Sequence, residues 1–457
     1  MGTHRYFAEH AWLPHGWESN VRVAVEDSGS ISNVDDDVSR DDAETLGRFV
    51  IPAMPNLHSH AFQRAMAGLA ERQTHAEDSF WTWRETMYAF AGRIDPDSLR
   101  AIAAQLYVEM LKAGYTQVCE FHYLHHQPNG SPYADPAAMS LALIEAAQET
   151  GIGLTLLPTL YMTGGFDGRP LSERQRRFGT TVESYLRLLE QLRKMENSTL
   201  RAGIALHSLR AVPENAMTTV LASKVLQSPP IHIHVAEQIG EVQDCLQVRN
   251  ARPVEWLLDH APVDPNWCLV HATHVAPDEI RGIAQTGAVA GLCPTTEANL
   301  GDGLFPLKPF LDVGGVIGIG SDSHISVSPV EELRWLEYGQ RLSTRHRNIA
   351  VSESSNSVGE TLWSDALFGG ARASGVAMGV LEDGARADLL VLDDASPLLA
   401  ARASDNVLDT FLFAGNSQLV RHVMANGKWV VRDFRHHDEQ RIAERYRATA
   451  KRLAESL

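Results

Sequence analysis

Cysteine is scarce in this chain, with four residues among 457 and no C-x-x-C pair. The four lie far apart, at Cys119, Cys245, Cys268 and Cys293. This usage argues against a disulfide scaffold or a zinc ribbon, and it is typical of proteins in a reducing cytoplasm. The sequence therefore predicts a cytoplasmic protein.

Long apolar runs are also missing from the sequence. No segment approaches the roughly 18 residues that a membrane-spanning helix requires. The N-terminal residues lack the apolar stretch of a signal peptide. We therefore expect no membrane partner.

Positive charge is under-represented, because 40 Lys and Arg residues stand against 57 Asp and Glu, which gives a formal net charge of −17. Such a chain is a poor candidate for binding nucleic acid or an anionic membrane surface. An anionic small-molecule substrate would need cationic groups gathered locally at its site. Histidine is abundant by comparison, with 20 residues, so its placement is the most informative feature to follow.

The order of predicted elements indicates a large barrel flanked by β structure. Between about residues 55 and 345, eight short apolar segments alternate with helical ones, which predicts a parallel (β/α)8 barrel of the TIM type. The first fifty residues and the chain after residue 375 read as short strands, with a hairpin at Asn426-Gly427. We expect these two ends to form one small β-sandwich domain.

The predicted division of the chain follows from this pattern. It places the N-terminal part of the β domain at residues 1–52, the barrel at 53–378, the C-terminal part of the β domain at 379–435 and a terminal helix at 436–457. Within the barrel, Asp95-Pro96 is typical of a helix start and Gly114 of a helix end. A further helix is predicted from Pro213 to Leu226.

Six of the eight predicted strands end in histidine or aspartate. The carboxyl ends of barrel strands form a single rim, where the chemistry of this fold takes place. One such histidine is usually structural, but six at one rim are hard to explain as core residues. They are His58 with His60, His122, His207, His232 with His234, His271, and Asp322.

The spacing at three of these exits predicts a metal site. His58 and His60 are two residues apart on an extended segment, so both imidazoles lie on the same face. With a histidine from the fifth strand and Asp322 from the eighth, they form the ligand set of a catalytic Zn²⁺ or similar divalent ion. The fifth strand offers both His232 and His234, and His234 is favoured because it lies nearer the rim.

The neighbouring residues predict one metal and one proton shuttle. Glu237, three residues after His234, is expected to move protons beside the metal, although it could also be a surface carboxylate at the start of a helix. Two-metal barrels need a bridging ligand, often a Lys or Glu from the fourth strand. Here the fourth strand ends in His207, with no lysine between Lys194 and Lys224. We therefore expect a single divalent metal, Zn²⁺ in the first place, with Fe²⁺ as an alternative.

These motifs resemble those of the metal-dependent amidohydrolase superfamily, and residues 387–392 resemble its C-terminal β segment. Longer stretches resemble one family within it, the N-formimino-L-glutamate deiminases of histidine degradation. Those stretches are residues 58–69, 81–85, 120–123, 207–210, 296–303 and 332–338, and the resemblance extends over essentially the whole chain.

The resemblance implies roles for individual side chains. Zinc would be held by His58, His60, His234 and Asp322. His271 would lie beside the metal as a hydrogen-bonding group. The glutamate part of the substrate would be held by Gln63, Arg84, Tyr123, His207 and Arg210.

The implied reaction replaces the C=NH of a formimino group by C=O and releases ammonia. Asp322 could accept a proton from the attacking water, Glu237 could pass one to the departing nitrogen, and His271 could stabilise the developing oxygen. Arg84 and Arg210 suit the two substrate carboxylates, because guanidinium binds carboxylate through a planar, bidentate fork. Arg84 follows Trp81 and Trp83, which is consistent with a lid over the site.

Two other functions remain open at this point. A deaminase of the same superfamily that acts on guanine or another aminated heterocycle would share the metal site, but it would need flat apolar or aromatic walls. A catalytically inactive scaffold would be expected to lack metal ligands, and none is missing. A homodimer is expected, because this is the commonest assembly among soluble oligomers.

Overall fold

A computed structural model of the chain describes residues 2–73, 80–353 and 355–455, without the side chains of Phe80 and Trp81. Its strands fall into three groups along the chain. The N-terminal strands are β1 (Thr3–Leu13), β2 (Gly16–Glu26), β3 (Ile31–Asp35) and β4 (Glu44–Pro52). The central strands are β5 (Met54–Ser59), β6 (Tyr115–His122), β7 (Gly153–Leu160), β8 (Leu200–Ala202), β9 (Ile204–Ser208), β10 (Ile231–Val235), β11 (Trp267–His271), β12 (Val289–Leu292) and β13 (Val316–Ile319). The C-terminal strands are β14 (Leu389–Leu392), β15 (Val420–Ala425), β16 (Lys428–Arg432) and β17 (Arg435–His436).

Helices connect most of the central strands. They are α1 (Phe80–Ala91), α2 (Pro96–Ala113), α3 (Ala138–Thr150), α4 (Val182–Arg193), α5 (Glu214–Ala222), α6 (Ile239–Arg249), α7 (Pro253–His260), α8 (Pro277–Thr286), α9 (Pro294–Leu300), α10 (Leu307–Asp312), α11 (Pro329–Thr344), α12 (Val358–Ser374), α13 (Val407–Phe413) and α14 (Glu439–Glu455). Four short 3-10 helices lie at Ala61–Met66, Glu173–Phe178, Pro397–Leu399 and Ser404–Asn406.

The central strands form a parallel barrel in the order β5-β6-β7-β9-β10-β11-β12-β13, and β8 pairs with β7 outside this path. Their apolar side chains are almost all buried, as expected when helices cover the outside of a parallel sheet. The fold class predicted from the sequence is confirmed.

The barrel closes where its last strand meets its first. The backbone N–H of Asp322, just beyond β13, donates to the carbonyl oxygen of His58 at 3.0 Å, and the N–H of His60 donates to the carbonyl oxygen of Asp322 at 3.1 Å. The buried side chain of Asn56 spans the same seam. Its Nδ2 donates to Ser321 Oγ at 2.7 Å, and its Oδ1 accepts from the Ser321 N–H at 3.1 Å.

Strands from both ends of the chain share one eight-stranded sheet, in the order β17-β16-β15-β14-β4-β1-β2-β3. The N-terminal β4 pairs antiparallel with the C-terminal β14, and this sheet has an apolar core of its own. At the predicted hairpin, Asn426 (φ 51°) and Gly427 (φ 72°) both take the left-handed conformation that a two-residue turn requires. The division at residues 52/53 and 378/379 stays a prediction.

The structure also corrects two helix boundaries. The helix predicted from Pro213 to Leu226 ends at Ala222, because the backbone turns extended at Ser223 and a serine-proline stretch leads into β10. The terminal helix begins at Glu439, because Arg435 and His436 pair with β16. Among the described residues, no helix is long and apolar enough to cross a membrane.

We expect Asn56→Ala to destabilise the protein by about 1–3 kcal/mol, because the change leaves buried polar groups of the seam without their partner. Urea unfolding followed by circular dichroism measures this loss. The matched control is Asn33→Ala, since Asn33 is exposed and its side chain donates to Asp35 two residues further along β3. Equal stability of the two variants would show that Asn56 is not needed to hold the seam.

Candidate metal centre and substrate pocket

Three imidazoles meet at the rim where the barrel closes. Nε2 of His58 lies 3.2 Å from Nε2 of His60 and 3.0 Å from Nε2 of His234. All three side chains are buried. His232, the other histidine of β10, is directed elsewhere, and its Nε2 lies 2.8 Å from the carbonyl oxygen of Ala373.

Hydrogen bonds at Nδ1 orient two of the rings so that the lone pairs of their Nε2 atoms point into the cluster. Nδ1 of His60 lies 2.8 Å from the carbonyl oxygen of Phe121, and Nδ1 of His234 lies 2.9 Å from that of His207. A carbonyl only accepts, so Nδ1 carries the proton in both rings and Nε2 presents its lone pair to the cluster. Burial lowers the pKa of His60 to about 3, and that of His58 and His234 well below the usual value, so the three rings are neutral.

Asp322 lies beside the three rings. Its Oδ1 lies 3.5 Å from Nε2 of His58 and 3.3 Å from Nε2 of His60. An ion held tetrahedrally at 2.0–2.1 Å separates its ligand atoms by about 3.3 Å, so these side chains fit a zinc-sized cation. Burial raises the pKa of Asp322 to about 7, and a cation among the rings would favour its carboxylate form.

His271 lies beside this cluster between two carboxylates. Its Nδ1 is 3.2 Å from Oε1 of Glu297, and its Nε2 is 3.8 Å from Oε1 of Glu237. Burial opposes a charge on the ring, but the carboxylates of Glu237, Glu297 and Asp322 raise the pKa of His271 to about 10. The ring is therefore a donor at neutral pH, directed towards the space that a substrate would occupy.

Hydrogen bonds among buried polar groups fix the end of β5. Ser59 Oγ donates to Glu120 Oε2 at 2.5 Å, while the Ala61 N–H donates to Glu120 Oε1 at 2.7 Å. Nε2 of His324 lies 3.1 Å from Ser59 Oγ. Burial raises the pKa of Glu120 to about 8. These contacts hold the segment that carries His58 and His60 in one conformation.

A pocket with about 590 Å³ of empty space, its mouth included, opens above the cluster. All eight residues predicted to lie around the reacting group or the substrate line it, and they are Gln63, Arg84, Tyr123, His207, Arg210, Glu237, His271 and Asp322. Gln63 Nε2 donates to the Tyr123 hydroxyl at 2.9 Å, and Gln63 Oε1 is buried without a partner in the described part of the chain. This amide therefore has one atom left for a ligand.

Two arginines give the pocket a local positive charge. Burial acts to lower the pKa of Arg210, but Glu241, Tyr161, Glu237 and Tyr88 together raise it. The guanidinium of Arg84 lies 5.5 Å from the centre of the Tyr88 ring. Both arginines face a cavity in a chain whose overall charge is −17. The site is thus suited to an anion. Trp81, predicted to flank Arg84, has its side chain outside the described residues.

Aromatic rings form much of the remaining wall, which the sequence analysis did not anticipate. Phe178 packs against Tyr123, Tyr88 and Tyr161, with ring centres 5.2, 5.9 and 6.0 Å apart. Trp83 and Met87 also line the pocket. Phe178 and Tyr161 come from segments with no metal motif nearby, so no sequence motif indicated this wall.

Several supporting residues also escaped the sequence analysis. Glu297, which bonds His271, lies on α9 just after β12, and its position after a strand is visible in the sequence although its partner is not. Asn56 and Glu120 act through buried contacts that no short spacing reveals. His122, although at a strand exit, packs against His125 with ring centres 5.3 Å apart and does not line the pocket.

The sequence of this chain is similar to those of known proteins. The model of the amidohydrolase family matches residues 49–430. A formimidoylglutamate deiminase of Pseudomonas aeruginosa is 54% identical over 96% of this chain and 97% of its own length. A 5-methylthioadenosine/S-adenosylhomocysteine deaminase of Haloarcula marismortui is 24% identical over 96% of this chain and 93% of its own.

Solved structures have the same architecture. An amidohydrolase from Brucella melitensis is 43% identical and superposes with a TM-score of 0.92 over 99% of this chain and 100% of its own. An adenosine deaminase from Xanthomonas campestris, solved with bound zinc, is 19% identical with a TM-score of 0.82 over 98% of each chain. At that identity the second likeness concerns the fold alone.

We expect His58→Ala and His234→Ala to lose the metal and the activity together, because each removes one of four converging ligand atoms. Elemental analysis of the purified protein should give one divalent metal per wild-type chain and markedly less in either variant. His232→Ala is the control on the same strand and should keep the metal. Two metals per active wild-type chain would contradict the mononuclear site.

Proposed function

The chain belongs to the amidohydrolase family, and we propose that it hydrolyses N-formimino-L-glutamate to N-formyl-L-glutamate and ammonia, a step in histidine degradation. The observation that carries this proposal is that Arg84, Arg210 and Asp322 line the same small pocket as two members of the His58–His60–His234 cluster, His60 and His234. The two carboxylates of this substrate need cations. Hydrolysis of its formimino group needs an activated water, which a metal site supplies. The relative that is 54% identical bears the matching name.

We propose that one divalent ion, Zn²⁺ or else Fe²⁺, binds to His58, His60, His234 and Asp322. When bound, the ion acts as a Lewis acid that makes water nucleophilic near neutral pH. The neutral state of the three rings supports the assignment, because imidazole binds a cation only through an unprotonated nitrogen.

The protons can be followed through the chain's own side chains. Asp322 accepts a proton from the water that attacks the formimino carbon. The C–O bond forms, and the C=N electron pair moves to nitrogen. Glu237 passes to that nitrogen first the proton from Asp322 and then the hydroxyl proton of the attacking oxygen. An oxygen lone pair forms the C=O bond as the C–N bond breaks, and the nitrogen leaves with that electron pair as ammonia, which carries both water protons. His271 donates to the developing oxygen, with its other nitrogen held by Glu297.

The remaining pocket residues position the glutamate part. Arg84 and Arg210 each pair with a carboxylate in the geometry that guanidinium favours. Gln63, Tyr123 and His207 add neutral hydrogen bonds. The free amide atom of Gln63 supports this role, because a buried polar atom gains most from a ligand that satisfies it.

One alternative retains support from the structure. The aromatic wall formed by Tyr88, Tyr161 and Phe178 could hold a flat ring, so guanine or another aminated heterocycle remains a second candidate substrate. Ammonia release from N-formimino-L-glutamate and from guanine, measured side by side, separates the two. Activity on guanine alone would overturn the proposal.

We also propose a cytoplasmic homodimer. The four cysteines are free and buried, which suits a reducing compartment. On α11, Trp335, Tyr338 and Leu342 expose apolar surface at helical spacing, and such a stripe is typical of a contact between subunits. Sedimentation of the purified protein measures its mass in solution.

We expect Glu237→Gln to keep the metal but to lower kcat by about 10²–10⁴-fold, the usual contribution of a general acid–base group. Glutamine preserves the shape and the hydrogen-bonding reach but cannot carry the proton. Steady-state ammonia release together with metal analysis measures both effects. Glu190→Gln, at an exposed position on α4, is the control. Turnover close to wild type would remove Glu237 from the mechanism.

We expect Arg84→Met and Arg210→Met each to lower kcat/KM for N-formimino-L-glutamate by about 30- to 5,000-fold, which corresponds to roughly 2–5 kcal/mol for an unpaired buried charge. The loss should be much smaller for an analogue that already lacks the matching carboxylate. Arg187→Met, exposed on α4, is the control.

This pair of substrates separates a direct contact from general damage to the fold. A substrate contact affects only the compound that can make it, whereas destabilisation lowers activity on both compounds alike. Equal losses on the full and the truncated substrate in folded variants would show that these arginines do not bind the carboxylates.

A further inference from the structure

The 3-10 helix Glu173–Phe178 contacts α1, the helix that carries Arg84, at two places and the junction after α1 at a third. Arg174 forms an exposed ion pair with Glu85. The Phe178 ring packs on Tyr88, with ring centres 5.9 Å apart. Nη2 of Arg177 donates to the carbonyl oxygen of Ile94 at 2.9 Å. The 3-10 helix therefore contacts both α1 and the junction that follows it.

Arg177 forms the buried part of this connection. Its side chain is 2% exposed. Besides Ile94, its Nη2 donates to the carbonyl oxygen of His126 at 3.0 Å, and its own carbonyl oxygen accepts from the N–H groups of His125 and His126 at 3.1 and 3.0 Å. One residue thus joins three segments that are distant in sequence: the end of α1, the exit of β6 and the 3-10 helix.

The position of Ile94 affects the orientation of α1. It lies between the end of α1 at Ala91 and the N-cap of α2 at Asp95, so it is the junction of the two helices. The carbonyl of Ile94 is fixed by Arg177 on one side, and its N–H is fixed by the carbonyl of Ala91 on the other. A hold at this point sets the direction in which α1 leaves the barrel.

Burial of the charged Arg177 side chain carries a desolvation cost. No carboxylate in the described part of the chain is within ion-pair distance of its guanidinium, and its Nε and Nη1 are buried without a hydrogen-bond partner there. Burial lowers the pKa of Arg177 to about 10, so the group is still cationic at neutral pH. An apolar side chain would avoid this desolvation cost, so stability alone does not explain an arginine here.

The same 3-10 helix also orders the aromatic wall. Gln175 Nε2 donates to the Tyr161 hydroxyl at 2.9 Å, and the Tyr161 ring packs on His207 with ring centres 4.4 Å apart. Phe178, next to Arg177, contacts Tyr88 and Tyr123. The position of this helix is therefore linked to most of the pocket surface that faces away from the metal.

We propose that Arg177 is a positioning residue that holds α1 so that Arg84 faces the substrate carboxylate. The proposal rests on the function proposed above, in which Arg84 binds that carboxylate. Arg177 does not line the pocket and does not touch the substrate. It acts through Ile94 and the packing of Phe178 on Tyr88.

The first test is Arg177→Met with Arg176→Met as the matched control, because Arg176 is the exposed neighbour in the same 3-10 helix. Misplacing a binding group by about 1 Å can cost up to about 10²-fold, so KM for N-formimino-L-glutamate should rise about 10- to 100-fold in Arg177→Met while kcat changes little. The analogue that lacks the carboxylate bound by Arg84 should show almost no change. Added to Arg84→Met, Arg177→Met should have no further effect on KM.

The second test does not depend on activity and uses Arg177→Lys as well, in case the Met variant does not fold. Hydrogen exchange followed by mass spectrometry should be faster in residues 82–91 in either Arg177 variant, and unchanged in residues 98–111 of α2. The lysine variant should lie between wild type and Met. Arg176→Met should exchange like wild type.

The outcomes separate the two proposals. If wild type releases no ammonia from N-formimino-L-glutamate, the proposed function fails, and the exchange of α1 still tests the role of Arg177. If a folded Arg177 variant exchanges α1 like wild type, the positioning role is wrong. The same conclusion follows if Arg177→Met loses equal activity on the full and the truncated substrate, because that pattern indicates a merely structural residue.

Discussion

The seam that closes the barrel is the constraint on which the site depends. The backbone of Asp322 bonds to both His58 and His60, so the residues that pair the first strand with the last are also the ones that we propose as metal ligands. Closure of the barrel and assembly of the ligand set are therefore one event. A shift of either strand by one residue would turn its ligand away from the rim, because alternate residues of a strand face opposite sides.

The backbone at this rim departs from ordinary strand geometry. Asp322 (φ 44°), His271 (φ 69°) and Ala236 (φ 54°) take left-handed conformations although none is glycine. Such conformations cost of the order of 1–3 kcal/mol each and persist where the surroundings enforce them. Here they occur where the chain leaves β10, β11 and β13, and they direct Glu237, His271 and Asp322 towards the pocket. Buried polar contacts hold them. Glu241 accepts from the N–H groups of Ala236 and Glu237, Glu297 bonds His271, and Asn56 bonds Ser321 beside Asp322.

Much of the fold and of the histidine cluster could be predicted from sequence, because the patterns that indicate them span only a few residues. The His58–His60 pair is two residues apart, and each remaining ligand follows an apolar strand that can be recognised locally. The choice of His234 over His232 needed only the distance from the rim. The other half of the pocket gave no such signal. Phe178, Tyr161 and Arg177 come from loops and a 3-10 helix whose contacts join segments dozens of residues apart, and no periodicity encodes those contacts. The early end of α5 likewise depends on how the chain enters the next strand.

His207 connects the two functions of the site in a way that has a thermodynamic consequence. Its side chain lines the pocket, while its backbone carbonyl accepts the Nδ1 proton of His234, a proposed metal ligand. A substrate held by the side chain and a metal held by His234 would meet at this one residue, which would couple the two sites. Reciprocity then applies: whatever factor the metal adds to the affinity for substrate, the substrate must add to the affinity for metal. Substrate abundance would thus help to set how much of the enzyme is loaded with metal in a cell where that metal is scarce.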